Sequence, residues 1–146
     1  MSKPRVLFVC THNSARSQMA EGWLRHLAGD RFVSESAGTE PRGVNPLAVE
    51  AMREVGVDLT GNRSEHVDEY VDPPADYVIT VCDHAKEVCP YVPAAIEVMH
   101  KGFDDPSSAM GSHAERLAVF RRVRDEIREW IEATFVQEGT PKTSPQ

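Results

Sequence analysis

The 146-residue chain lacks any apolar run near the ~20 residues that a membrane-spanning helix requires. It has no Gly-x-Gly-x-x-Gly fingerprint and no glycine-rich phosphate loop ending in Gly-Lys-Ser/Thr, so the common nucleotide-binding motifs are missing. Positive charge is scarce. Sixteen Lys and Arg stand against 23 Asp and Glu, a net charge of −7, which argues against nucleic acid as a partner. Any anionic ligand must be attracted by a local arrangement. Cysteine is scarce too: Cys10, Cys82 and Cys89 are an odd set, too small for a disulfide scaffold. Only four apolar residues lie between Arg5 and Cys10, too few for an export signal. The thiols are therefore expected to be reactive ones in a reducing, cytoplasmic setting.

What the chain does have suits one domain, with 40% hydrophobic and 27% charged residues. We expect a single catalytic domain at 1–136 and a flexible tail at 137–146, where Gly, Thr, Pro, Ser and Lys collect. Val6–Val9 reads as a fully buried strand. From Ser17 the pattern turns helical, with Met19, Ala20, Trp23, Leu24 and Leu27 on one face and Gly29 as terminator. Phe32–Ser36, Tyr77–Val81 and Ile96–Met99 read as further strands. Asn45 and Pro46 start a second helix that Gly56 closes. Ser64 is expected to start another, ended by Pro73 and Pro74. Ser112 and Glu115 form a capping box for a last helix running through Phe135. The arginines along it (Arg116, Arg121, Arg122, Arg124, Arg128) read as solvated. Strands alternating with helices predict a four-stranded parallel sheet with helices on both faces, ligands binding beyond the strands' C-terminal ends.

Cys10 and Cys82 both end strands in this reading, so they share that edge. Cys10 is followed by Thr11, His12, Asn13, Ser14, Ala15, Arg16 and Ser17, a Cys-x5-Arg-Ser loop between strand and helix. Such a loop turns backbone amides inward and aims the helix's positive end at the same point. Arg16 can grip two oxygens of an anion there, and the same field favours the nucleophilic thiolate of Cys10. Ser17 can donate to the sulfur, and Asn13 tolerates the left-handed backbone that a cradle needs. Asp105, before Pro106, is a candidate proton donor or acceptor. A seven-residue helical path from Cys82 to Cys89 would span about 10.5 Å, beyond the roughly 4.4–6.8 Å between bridged Cα atoms. Bridging them thus requires a departure from helix. Cys82, His84, Cys89 and His100 match no common zinc spacing.

The Cys10–Ser17 loop, Asp105-Pro106 and the Cys82/Cys89 pair together resemble the thioredoxin-coupled arsenate reductases, which share the low-molecular-weight protein tyrosine phosphatase fold. The resemblance runs from about Arg5 to Phe135. It implies that Cys10 attacks arsenate, that Asp105 assists proton transfer, and that Cys82 and then Cys89 carry the oxidation to a disulfide reduced by thioredoxin. It implies no tightly bound cofactor, but in some members a potassium ion, with Asn13, Glu21, Ser36 and Glu65 in the matching places. Glu65 stands where some relatives have aspartate, and Ala15 where many have a further cysteine. The competing reading is a phosphatase acting on phosphate monoesters. Ser107-Ser108 after Asp105-Pro106 and Gln18 after Ser17 depart from that pattern, which has aromatics and a proline there.

Overall fold

The computed structural model describes residues 3–83, 87 and 89–136; the expected tail at 137–146 lies outside the described residues. Strand β1 (Arg5–Cys10) buries Val6, Leu7, Phe8 and Val9 completely. Strand side chains alternate between faces. Val6, Phe8 and Cys10 accordingly enter one apolar cluster, and Leu7 and Val9 another. A strand apolar on both faces belongs at the centre of a covered parallel sheet. That is where β1 sits, in the order β2-β1-β3-β4 with all neighbours parallel. The partners are β2 (Val33–Gly38), β3 (Tyr77–Thr80) and β4 (Glu97–His100).

Three α-helices, α1 (Arg16–Ala28), α2 (Pro46–Arg53) and α3 (His113–Ile131), build the larger cluster with Phe8, Ile79 and Val81. Among the described residues, the other face is closed by the 3₁₀ turn at Val67–Tyr70 and by loop residues Ala75 and Val92. Local chemistry explains the helix starts. The Asn45 side chain accepts from the Leu47 amide at 2.8 Å, with Pro46 in the first turn. Ser112 and Glu115 make the reciprocal capping box. Gly56 closes the second helical region at φ 82°.

Three expectations change. The helix expected from Ser64 is only the 3₁₀ turn, capped by His66, whose Nδ1 accepts from the Asp68 amide at 3.0 Å. Ser64 is held by another partner: its hydroxyl donates to the Asn13 carbonyl. The last helix does not run regularly to Phe135, because α3 ends at Ile131 and a π-helical turn spans Glu132–Val136. That turn seats the buried Phe135 edge-on against Phe8, Phe32 and Trp130. The arginines of α3 are not simply solvated. Buried Arg124 donates to the Ala51 carbonyl and to Glu54, Arg121 makes two further bonds to Glu54, and Arg128 lies over the Trp23 ring. Together they fasten α3 to α2 and α1, which brace the sheet beneath the site.

Candidate active site

The loop from Thr11 to Ala15 is shaped by where its carbonyls go. Thr11 O accepts from the Glu40 amide at 2.8 Å, His12 O from Arg42 at 3.1 Å and Ser14 O from Asn45 at 2.9 Å. Asn13 O accepts from Gln18 Nε2 at 3.1 Å and from the Ser64 hydroxyl. All these donors lie outside the loop. Across a planar trans peptide the N–H points opposite to the C=O, so the amides of His12, Asn13, Ser14 and Ala15 turn inward. Asn13 makes the turn at φ 47°, in the left-handed region expected of it. Ala15 holds the N-cap position of α1 without a capping side chain, leaving that helix's amide end facing the same space.

Cys10 ends β1 inside this cradle as a free, buried thiol. Its Sγ lies 2.9 Å from Ser17 Oγ. Asn13 Nδ2 donates to that oxygen at 2.8 Å, which directs the serine proton toward the sulfur. The Asn13 side-chain oxygen in turn accepts from the Glu65 amide and from Gln18 Nε2. Arg16 is 3% exposed and donates to the Phe103 carbonyl at 3.3 Å. Its guanidinium also meets Glu87, at 2.5 Å from Nη1 to Oε2 and 3.0 Å from Nη2 to Oε1. Burial works against the charge of Arg16, but the Glu87 hydrogen bond and the charges of Cys10 and Asp105 outweigh it and raise its pKa.

Cys82 follows β3, and Val81 N donates to Val9 O at 2.9 Å, so Cys82 reaches the same sheet edge as Cys10. Cys82 and Cys89 join the cluster that contains Cys10 and are bonded to each other as a disulfide, with Cα atoms 5.9 Å apart. That separation lies well below the helical path considered above and inside the bridging range. His84, considered as a metal ligand, lies outside the described residues, and the disulfide occupies both sulfurs.

Asp105 Oδ2 stands 3.7 Å from Arg16 Nη2, at the mouth of the cradle. Its other oxygen caps the short turn Pro106–Ser108, accepting from the Ser107 amide and hydroxyl at 3.0 and 2.6 Å. The side chain of His12 turns outward, 4.0 Å from Glu40. A cavity of about 860 Å³ opens beside these groups, lined by Thr11, His12, Asp83, Glu87, Asp105 and Arg122 among others. The residues considered for an ion fall into two contacting pairs. Ser36 donates to Glu21 at 2.5 Å, and Glu65 is tied to Asn13. Burial pushes the Glu21 carboxyl up, and the like charge of Glu65 adds to that. Among the described residues no three His, Cys, Asp or Glu side chains gather as a metal site, and no helix is long and apolar enough to cross a membrane.

Residues 5–139 match the family described as low molecular weight phosphotyrosine protein phosphatase. This chain belongs to that phosphatase family. Within the family it is 50% identical over 139 residues to the arsenate reductase of Halalkalibacterium halodurans, covering 95% of this chain and 99% of the relative. A solved arsenate reductase in the phosphate binding state superposes with a TM-score of 0.75 at 34% identity, covering 89% of this chain and 95% of that one. The thioredoxin-dependent arsenate reductase of Corynebacterium glutamicum gives 0.63 at 29% identity, covering 90% of this chain and 61% of that one.

Two contributions of this phosphatase-family loop were not visible in the sequence pattern. Glu87 is a charged residue with no motif around it. Gly38 lies past the strand expected at Phe32–Ser36, yet it belongs to β2 and pairs with Cys10. A Cβ there would lie 2.5 Å from Thr11 O, 2.8 Å from Cys10 O and 2.9 Å from Asn13 N, all backbone atoms. Glycine is thus required by the close approach of the cradle to β2. Gly38→Ala should displace the loop at an overpacking cost of ~1–3 kcal/mol. The variant should bind phosphate at least about 10-fold more weakly by calorimetry while its far-ultraviolet dichroism is kept; unchanged affinity would contradict this role of Gly38.

Proposed function

We propose that this protein reduces arsenate to arsenite through a Cys10–Cys82–Cys89 thiol relay recycled by thioredoxin. The supporting observation is the pairing of two states in one chain: a free Cys10 inside an anion cradle, and a Cys82–Cys89 disulfide at the same sheet edge. That is the arrangement expected at the end of one turnover. A phosphatase needs only the cradle.

In the proposed sequence the Cys10 thiolate attacks arsenic(V) held by Arg16 and the inward amides of His12 to Ala15. One arsenate oxygen leaves as water, with Asp105 supplying the proton. Ser17 steadies the sulfur anion. Cys82 then attacks Cys10 Sγ. A Cys10–Cys82 bond forms, the sulfur–arsenic bond breaks, and its electron pair leaves with arsenic, now arsenic(III), as arsenite. Cys89 attacks Cys82, returning Cys10 as thiolate and leaving the disulfide seen here. Thioredoxin, as the external dithiol, takes over that disulfide by two exchanges. A reducing compartment such as the cytoplasm would sustain this cycle. Asn13, Glu21, Ser36 and Glu65 offer only oxygen donors, which suits a hard cation such as potassium. An ion held there would offset the burial of Glu21 and its repulsion by Glu65.

Two experiments bear on these readings. With purified thioredoxin, thioredoxin reductase and NADPH, arsenate should drive NADPH oxidation, and Cys10→Ser should remove it. Cys89→Ser should release about one arsenite per protein and then stop. Faster hydrolysis of an aryl phosphate than reduction of arsenate would replace the relay with phosphatase chemistry, and steady cycling by Cys89→Ser would defeat the relay. For the ion, the melting temperature should be a few degrees higher in potassium chloride than in choline chloride at equal ionic strength (~2–4 °C per kcal/mol). Glu21→Gln should lose that difference, and equal melting of the unmodified protein in both salts would exclude the ion site.

A further inference from the structure

Arg16, the guanidinium offered to an oxyanion, already holds a carboxylate. Glu87 meets it fork to fork, through Nη1–Oε2 at 2.5 Å and Nη2–Oε1 at 3.0 Å. The same carboxylate accepts from Thr11 Oγ1 at 3.2 Å and from the Asp83 amide at 3.0 Å. Its four donors thus come from the cradle loop, from α1 and from the chain just after β3. Two parallel N–H···O bonds to a planar pair of oxygens are how arginine takes a phosphate or arsenate edge. The pair is withdrawn from water, with side-chain exposures of 3% for Arg16 and 21% for Glu87. Burial disfavours the charge of Glu87. The bonds from Arg16, Asp83 and Thr11 and the Arg16 charge prevail and hold its carboxyl at about 2, so it is an anion at any physiological pH.

The position of Glu87 in the chain gives this contact its meaning. It lies inside the ring closed by the Cys82–Cys89 bond, two residues before Cys89, and its amide donates to the Asp83 carbonyl at 3.0 Å. The bond holds Cys82 and Cys89 at a Cα separation of 5.9 Å, which restricts where Glu87 can go.

We propose that Glu87 is an internal stand-in for the substrate oxyanion, seated on Arg16 while Cys82 and Cys89 are joined, so that the disulfide form turns away arsenate and phosphate. The inference rests on the relay reading above and adds a redox gate to it. In the disulfide form an arsenate captured by Cys10 would meet no thiol at Cys82 and could not be reduced. The seated carboxylate prevents that dead end. Reduction by an external dithiol breaks the Cys82–Cys89 bond and forms one in the reductant, leaving two electrons and two protons on the two cysteines. The ring then opens, the restriction on Glu87 is lifted and Arg16 becomes available. Linkage requires the converse: an oxyanion bound at Arg16 must favour the dithiol by the same factor.

The test is calorimetric titration of inorganic phosphate into the disulfide and dithiol forms of the unmodified protein and of Glu87→Gln. The unmodified disulfide form should bind about 10-fold or more weakly than the dithiol form, within the usual range of coupling between sites. Glu87→Gln should bring the disulfide form to within about twofold of its own dithiol form. Equal affinities in the two forms of the unmodified protein, or a difference that survives in Glu87→Gln, overturn the gate while leaving the relay intact. If neither form binds phosphate, the cradle itself is refuted and the gate falls with it. A gate that passes this test in a protein that does not reduce arsenate stands without the relay.

Discussion

The structure turns on how the chain leaves β1. Between Cys10 and Arg16 it must pass from a buried strand into a buried helix within five residues, and it does so by handing its carbonyls to donors elsewhere. Glu40, Arg42 and Asn45 supply amides from the β2–α2 connection, while Ser64 and Gln18 supply side chains. Each outward carbonyl commits the next amide inward. The anion cradle is therefore a consequence of backbone satisfaction, and the sulfur of Cys10 lies where the inward amides, the open end of α1 and Arg16 converge.

The parts of this arrangement that were legible in the sequence are those carried by short-range chemistry. Val6–Val9 is apolar on both sides of the pleat, so it had to be a central strand. Asn45-Pro46 and Ser112 with Glu115 carry their capping chemistry within one helical turn. Asn13 is among the few residue types that accept the left-handed backbone found there. The parallel order that brings Cys82 to the edge of Cys10 follows from alternation of strands and helices. What escaped depends on contacts distant in sequence. Ser64 looks like a helix cap but bonds a loop 51 residues earlier. Gly38 falls beyond the strand expected at Phe32–Ser36, but its value lies in the absence of a Cβ against Thr11, Cys10 and Asn13. Arg121 and Arg124 look solvated on a helical wheel until α2 supplies Glu54 and the Ala51 carbonyl.

Two features place the thiols in one system. The parallel pairing of β1 and β3 sets Cys10 and Cys82 at one edge. The Cys82–Cys89 bridge then spans residues that include Glu87, whose carboxylate reaches back to the arginine of the cradle. Redox state and anion site thereby meet at one guanidinium. The negative charge of the whole chain gives no attraction for an oxyanion. In the proposed relay capture rests on that arginine and the amides around it, and in the proposed gate whatever occupies them decides whether the thiol is reached.

The central claim, that the Cys10 sulfur faces an oxyanion site built from Arg16 and inward amides, is tested most directly by protection of that sulfur in the fully reduced protein. Alkylation of Cys10 by iodoacetamide, followed by peptide mass spectrometry, should slow about 11-fold in phosphate at ten times its dissociation constant, as simple mass action requires. Arg16→Ala should lose most of that protection at the same phosphate concentration. An alkylation rate at Cys10 indifferent to phosphate would contradict the account.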